Sequence, residues 1–170
     1  MTDEQDVPIG HLQRRRIEGQ VLIPFIEACR ETFGEEGTRK LVVATIRRLA
    51  ADDGAKWADL YGGNLTGLKR LVEDLWAGGG SLKVEIIANG PDHLDFNVAR
   101  CRYAEFYKEL GLADIGFLVH CNRDHAMIDG FSPDLELKRT QTVMEGAAYC
   151  DFRFRAKAAP PAGSDTNEGS

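Results

Sequence analysis

Apolar positions keep helical spacing through the first half of the chain, as far as Gly80, and then alternate between strand and helix periods. From His11 to about Phe33, Leu12, Ile17, Val21, Phe25 and Ala28 recur at helical spacing, and Pro24 predicts a kink or break. A second helix is predicted from Glu35 to about Tyr61, with Leu41, Thr45, Arg48, Leu49 and Trp57 near one face, Gly54 as a weak point and Gly62-Gly63 as its end. Asn64 to Thr66 read as a helix start. The third helix they open carries Leu68, Leu71, Val72, Leu75 and Trp76 and stops at Gly78-Gly79-Gly80. That glycine run has no strand before it and no helix after it, which argues against a phosphate-cradling loop.

The period then falls to two. Leu82, Val84 and Ile86 alternate with Lys83 and Glu85, and Leu94, Phe96 and Val98 alternate with Asp95 and Asn97; the turn signal Asn89-Gly90-Pro91-Asp92 between them predicts an antiparallel hairpin. A short helix from about Arg100 to Leu110 and a longer one from about Asp114 to Ile128 come next, separated by Gly111. Two more strands follow. One places Leu135, Leu137, Arg139 and Gln141 on a single face, the other Cys150, Phe152 and Phe154, with Glu145-Gly146 in the turn between. This order predicts an α+β fold: N-terminal helices, then a mostly antiparallel sheet of about four strands with helices packed on one face. Residues 1–9 and 156–170 read as flexible tails around a single domain spanning 10–155.

Composition narrows the class. A net charge of -6 argues against a nucleic-acid surface, and Arg14-Arg15-Arg16 is too short a basic run to imply one, so it reads as a solvated helix face. No apolar run approaches a membrane span, and the acidic start MTDEQDVPIG is unlike a signal peptide; the chain reads as cytoplasmic with no membrane partner. Its four cysteines, Cys29, Cys101, Cys121 and Cys150, are then expected as reduced thiols, Cys29 as a core or boundary residue, and Asn64-Leu65-Thr66 carries no glycan.

Polar residues at core-facing positions mark the candidate chemistry, because unpaired they are expensive to bury. Cys101 follows a strand and opens a helix, where free N–H groups favour a thiolate, and Arg100 and Arg102 add positive charge; the other reading is a small buried residue at a strand–helix junction. Cys121, Asp124 and His125 stand at i, i+3 and i+4 on one helix face with Phe117, Leu118 and Ile128. A carboxylate there should be paired or have a raised pKa. His120 falls off that arc and is expected to be exposed. Arg139 points inward by strand parity and needs an anion, either Asp124 or a substrate carboxylate. Cys150 shares parity with Phe152 and Phe154, so it fills core or lines a pocket opposite Cys121. No C-x-x-C pair is present, so the zinc signal among Cys101, Cys121 and Cys150 is weak and no cofactor is required. G-x-S-x-G, H-E-x-x-H and dinucleotide fingerprints are absent.

The runs CRYAEFYKELGL at 101–112, HCNRD at 120–124 and LKRTQTVMEGAAYCDFRF at 137–154 resemble the L-2-amino-thiazoline-4-carboxylic acid hydrolase family. The resemblance covers the C-terminal half well, whereas the N-terminal half matches only in being helical. It implies a hydrolase that opens a carboxylate-bearing cyclic amidine to an N-carbamoyl product. Its motif positions fall here on Cys101, Cys121, Asp124, Arg139, Thr142, Gly146, Cys150 and Asp151, with Gly146 serving a turn and Asp151 facing outward. Cys101, Cys121 and Asp124 are therefore the expected catalytic residues, and Arg139, His125, Thr142 and Cys150 the expected substrate-binding ones. A small-molecule substrate is implied, and a homo-oligomer is allowed for. Two other classes stay open: a non-catalytic small-molecule-binding or sensing domain, and an interaction module whose cysteines only fill the core.

Overall fold

The computed structural model describes residues 9–157. The first half is one long helix, α1 (His11–Tyr61), interrupted where Gly34 takes φ 77° and ψ 167°. That break falls at the predicted boundary between two helices, and only glycine adopts such a backbone without strain. Pro24 breaks nothing: the backbone stays helical through it, and its ring lies on the exposed side of the helix.

The buried face of α1 differs from the expected one. Ile17, Val21 and Phe25 are exposed, whereas Gly19, Ile23, Ile26 and Cys29 turn inward. This segment carries two apolar stripes, and packing selects the one holding Gly19, where a Cβ would lie 2.9 Å from the Tyr107 hydroxyl. Beyond the break Thr38, Ile46, Ala50 and Gly54 face inward, whereas Leu41 and Leu49 are exposed. Gly54 is a contact point and not a weak one. A Cβ there would sit 2.1 Å from the Met127 carbonyl, and a Cβ on Gly130 would sit 2.1 Å from the Ala51 carbonyl, so two helix backbones touch.

Asn64 caps α2 (Leu65–Leu71) by accepting the Gly67 N–H at 2.9 Å. The helix widens into a π-helical turn, Val72–Trp76, before the glycine run. The predicted hairpin is β1 (Leu82–Asn89) and β2 (His93–Cys101). Then come α3 (Arg102–Glu109), α4 (Ala113–Gly116), a second π-helical turn at Phe117–Cys121, and α5 (Arg123–Phe131). The expected continuous helix from Asp114 to Ile128 is thus interrupted. Strands β3 (Leu135–Lys138) and β4 (Cys150–Ala156) complete an antiparallel sheet of order β1-β2-β4-β3, and the fold is α+β.

On β2, β3 and β4 the inner face of the sheet is apolar by alternation, whereas β1 carries two bulges and exposes Ile86 and Ile87. Leu94, Phe96 and Val98 pair across to Phe154, Phe152 and Cys150, and these side chains pack against α2, α5 and the second half of α1. A second cluster joins Ile23, Ile26 and Ile46 of α1 to Tyr107, Ile115 and Val119. Strand β3 stops at Lys138, short of the expected Gln141. The Asp151 carboxylate takes the N–H groups of Thr140 and Gln141 (2.9 and 2.8 Å) and the Thr140 hydroxyl (2.7 Å), so these residues leave the ladder. Residues 1–8 and 158–170, most of the expected tails, lie outside the described residues. Ala156 belongs to β4 and not to a tail, pairing with Leu135. Among the described residues no helix is long and apolar enough to cross a membrane.

Candidate active site

A cavity of about 110 Å³ opens between α1, α5 and the inner face of the sheet. It has room for several waters or one small ring. Trp57, Leu75, Trp76, Leu82, Val98, Met127, Met144 and Phe152 give it apolar walls, and two polar groups share the remaining lining.

The first group is Cys101, Cys121, Asp124, Arg139 and Cys150. Five separate pieces of chain bring these residues together: the end of β2, the π-helical turn, the first turn of α5, the residue after β3 and the start of β4. Cys101 caps α3, its Sγ accepting the Ala104 N–H at 3.4 Å. The expected thiolate does not follow. Burial pushes the Cys101 thiol up to about 11, outweighing the N–H groups of Ala104 and Tyr103, and Arg100 spends its charge on Glu105 at the surface (2.6 Å). Burial and the Asp124 charge raise Cys121 well above the usual thiol range. Cys150, also raised by burial, accepts the Val143 N–H at 3.2 Å.

Asp124 is the electrostatic centre of this group. Burial raises its carboxyl from 3.8 to about 6, with the Arg139 and Arg123 charges and the Arg139 hydrogen bond pulling the other way. Of the two anions open to Arg139, the structure supplies the internal one. Its Nη1 donates to Asp124 Oδ2 and to the Cys121 carbonyl (3.1 Å), while its guanidinium lies 5.7 Å from the centre of the Phe152 ring.

Two expected substrate-binding residues lie elsewhere. His125 and Thr142 line a neighbouring depression that shares Cys121 and Arg139 with the main cavity. The Thr142 hydroxyl donates to the Glu145 carboxylate (2.8 Å) and accepts its N–H (3.1 Å), tightening the turn that Gly146 completes at φ 101°. Burial holds His125 below the usual imidazole range. Among the described residues no group of three His, Cys, Asp or Glu side chains converges as a metal site would require.

The second polar group comprises His11, Arg15, Asp53, Tyr103, His120 and Arg123. Sequence reasoning missed it. The His11 ring meets the Tyr103 hydroxyl at 2.8 Å, and His120 packs on the rings of Tyr103 and Tyr107 (5.4 and 5.2 Å between centres). His120 was expected at the surface, but the π-helical turn around it adds to the residues per turn and rotates its side chain into the cavity. Burial, followed by the Arg15 and Arg123 charges, lowers His11 to about 4 and His120 to about 3, so both rings are neutral at physiological pH. Arg15 and Arg123 both reach Asp53 Oδ2, at 3.7 and 2.6 Å. The one available signal was that Arg15 stands four residues after His11, on the same helix face.

The model of a known family, described as L-2-amino-thiazoline-4-carboxylic acid hydrolase, matches residues 14–154. The chain belongs to this family. The match spans every residue of the thiol and carboxylate group, and of the second group it leaves out only His11. No curated protein matches the sequence of this family member. Among solved structures it is similar to a trafficking protein particle complex subunit 3 from Naegleria fowleri, covalently bound to palmitic acid. That likeness has a TM-score of 0.51 at 7% identity, covers 84% of this chain and 95% of that one, and shows a shared fold.

Proposed function

We propose that this protein hydrolyses a small, carboxylate-bearing cyclic amidine of the 2-aminothiazoline-4-carboxylate type. The observation that carries the reading is Asp124: a half-buried carboxyl raised to about 6, held by Arg139 in the lining of a cavity with three thiols. Such a group can take and return a proton near neutral pH. Membership of the family supports the reaction class.

In the proposed reaction the amidinium of the ring faces the Asp124 carboxylate. The Cys101 sulfur bonds to the amidine carbon while its proton passes to Asp124. The bond from that carbon to the ring sulfur breaks, and the ring sulfur leaves as a thiol, carrying the proton back from Asp124. Water then adds to the same carbon and displaces Cys101 as a thiol; the carbon becomes a urea-type carbonyl and one proton is released. With Cys101 at about 11 and Asp124 at about 6, prior transfer of the thiol proton is uphill by roughly 10⁵. Attack and proton transfer therefore proceed together, helped by the amidinium charge beside the sulfur. Cys121 and Cys150 complete the wall around the reacting carbon. His125 and Thr142 act on substrate through Arg139 and Cys121, which both cavities share.

The test is turnover of L-2-amino-thiazoline-4-carboxylate by the purified chain, with and without a chelator, beside the Cys101→Ser variant. Turnover that survives the chelator and vanishes in Cys101→Ser is expected. An active Cys101→Ser protein refutes the thiol route, and chelator-sensitive turnover moves the chemistry to a metal-bound water. A second reading, a non-catalytic small-molecule-binding domain, is favoured by the protonated state of all three cavity thiols and draws on the fold shared with a palmitate-bearing subunit. It predicts ligand binding with no turnover.

A further inference from the structure

Engagement of Arg139 with Asp124 leaves open how a substrate carboxylate is held. Only 7% of the Arg139 side chain is exposed, and its Nη1 serves both Asp124 and the Cys121 carbonyl. The cavity holds two further guanidinium groups. Arg15 comes from the first turns of α1, and Arg123 is the first residue of α5; both side chains are largely buried, and both converge on Asp53.

The charges in this corner do not cancel around Arg123. Arg15 has a second carboxylate, Glu18 at 2.7 Å, which does not line the cavity. Among the described residues the only carboxylate in ion-pair contact with Arg123 is Asp53, which also serves Arg15 and, from the solvent side, Lys56 at 3.8 Å. Asp53 is therefore divided among three cations, of which Arg15 alone has Glu18 as a second partner. The neighbouring imidazoles register the excess: the Arg15 and Arg123 charges depress both His11 and His120 beyond what burial does. Two like charges held in a half-buried wall form a seat for an anion, and the planar fork of arginine fits a carboxylate.

We infer that the Arg15–Arg123 pair is the site that receives the carboxylate of a small zwitterionic ligand, whose cationic part lies against Asp124. Arg123 and Asp124 are consecutive in the first turn of α5 and present opposite charges to one cavity. A ring bearing a cation and a carboxylate close together complements that pair. The inference rests on the reading of the cavity as a substrate site, but its test reads binding and not turnover.

Isothermal calorimetry of the full chain would compare L-thiazolidine-4-carboxylate, which has no amidine carbon to hydrolyse, with thiazolidine, which lacks the carboxylate. The wild type should bind the carboxylate at least about tenfold more tightly. Arg123→Gln and Arg15→Gln should each remove about tenfold or more of that preference, with the helical circular dichroism unchanged. Asp53→Asn discriminates further. It deletes the competing anion, so carboxylate binding should hold or tighten, whereas a purely structural Arg123–Asp53 pair predicts that Asp53→Asn weakens binding as much as Arg123→Gln. Equal affinity for the two rings, binding of neither, or undiminished preference in Arg123→Gln would overturn the inference. If Arg123→Gln does not fold, Arg15→Gln and Asp53→Asn decide. A protein that binds the carboxylate through these arginines but hydrolyses no ring would sustain this site and refute only the hydrolase reading.

Discussion

Replacing Arg139 by methionine removes the ion-pair partner of Asp124 and leaves its carboxyl to burial, opposed by the Arg123 charge. In the wild type the carboxyl is raised from 3.8 to about 6. At 1.36 kcal/mol per pH unit, holding it ionised at neutral pH lowers stability by about 3 kcal/mol relative to an unshifted group. Because the folded-state value is the higher one, this loss is absent below about pH 4, accumulates as pH rises towards 6 and is complete above it. Without the Arg139 charge the value moves higher and the window extends upward. Breaking a buried ion pair typically costs about 3–5 kcal/mol, but here the carboxyl can protonate instead. A carboxyl kept neutral at pH 7.5 costs about 5 kcal/mol against its unfolded value of 3.8, so the carboxyl contributes at most about 2 kcal/mol beyond the wild-type penalty. The clean comparison is Arg139→Met against Arg139→Met/Asp124→Asn, by urea denaturation from about pH 4.5 to 7.5. The single variant should lose stability relative to the double one by up to about 1.4 kcal/mol per pH unit. In activity, the acid limb of kcat/KM, near pH 6 in the wild type, should move upward in Arg139→Met. A stability gap that is flat across this range, or an acid limb that stays where it was, would refute the assignment of Asp124 as the titrating group.

Two further outcomes follow from the same structure. With Cys101 pushed up to about 11, its alkylation by iodoacetamide, followed site by site with mass spectrometry, should climb about tenfold per pH unit from 7 to 9; a plateau below pH 8 would contradict a buried neutral thiol. Gly130→Ala would set a Cβ 2.1 Å from the Ala51 carbonyl, so α1 and α5 must part, at a loss of roughly 1–3 kcal/mol or more in chemical denaturation; a loss under about 0.5 kcal/mol would mean the helices are not in backbone contact.

Local chemistry explains which parts of the fold were legible. Gly34 and Asn64 announce a break and a cap because each acts within its own turn. Strand alternation turned Arg139, Cys150 and the paired phenylalanines inward because one face of β2, β3 and β4 is buried. Of the three residues placed on one helical arc, Cys121 and Asp124 line one cavity with Cys101, whereas His125 faces the neighbouring depression. The failures are long-range or depend on an altered helical period. Ile17, Val21 and Phe25 make as good a stripe as Gly19, Ile23 and Ile26 until Tyr107 arrives to select the glycine face. His120 was misplaced because a 3.6-residue period does not describe a π-helical turn. The thiolate expected at Cys101 failed on magnitude: two N–H groups at the α3 start do not offset the loss of water around the sulfur.

The glycine contact that stabilises the fold also spaces the charges of the cavity. Asp53 precedes Gly54 on α1, and Arg123 and Asp124 lie two turns before Gly130 on α5, so the crossing that brings Gly54 onto the Met127 carbonyl also brings Asp53 within 2.6 Å of Arg123. Any larger side chain at Gly54 or Gly130 must push these two helices apart. Arg15 and Asp53 would then withdraw with α1, while Asp124 stayed with Arg139 and the sheet side of the cavity. Stability and ligand affinity are thereby coupled through one backbone contact, and a substitution far from any thiol reaches the site by changing the distance between its two polar groups.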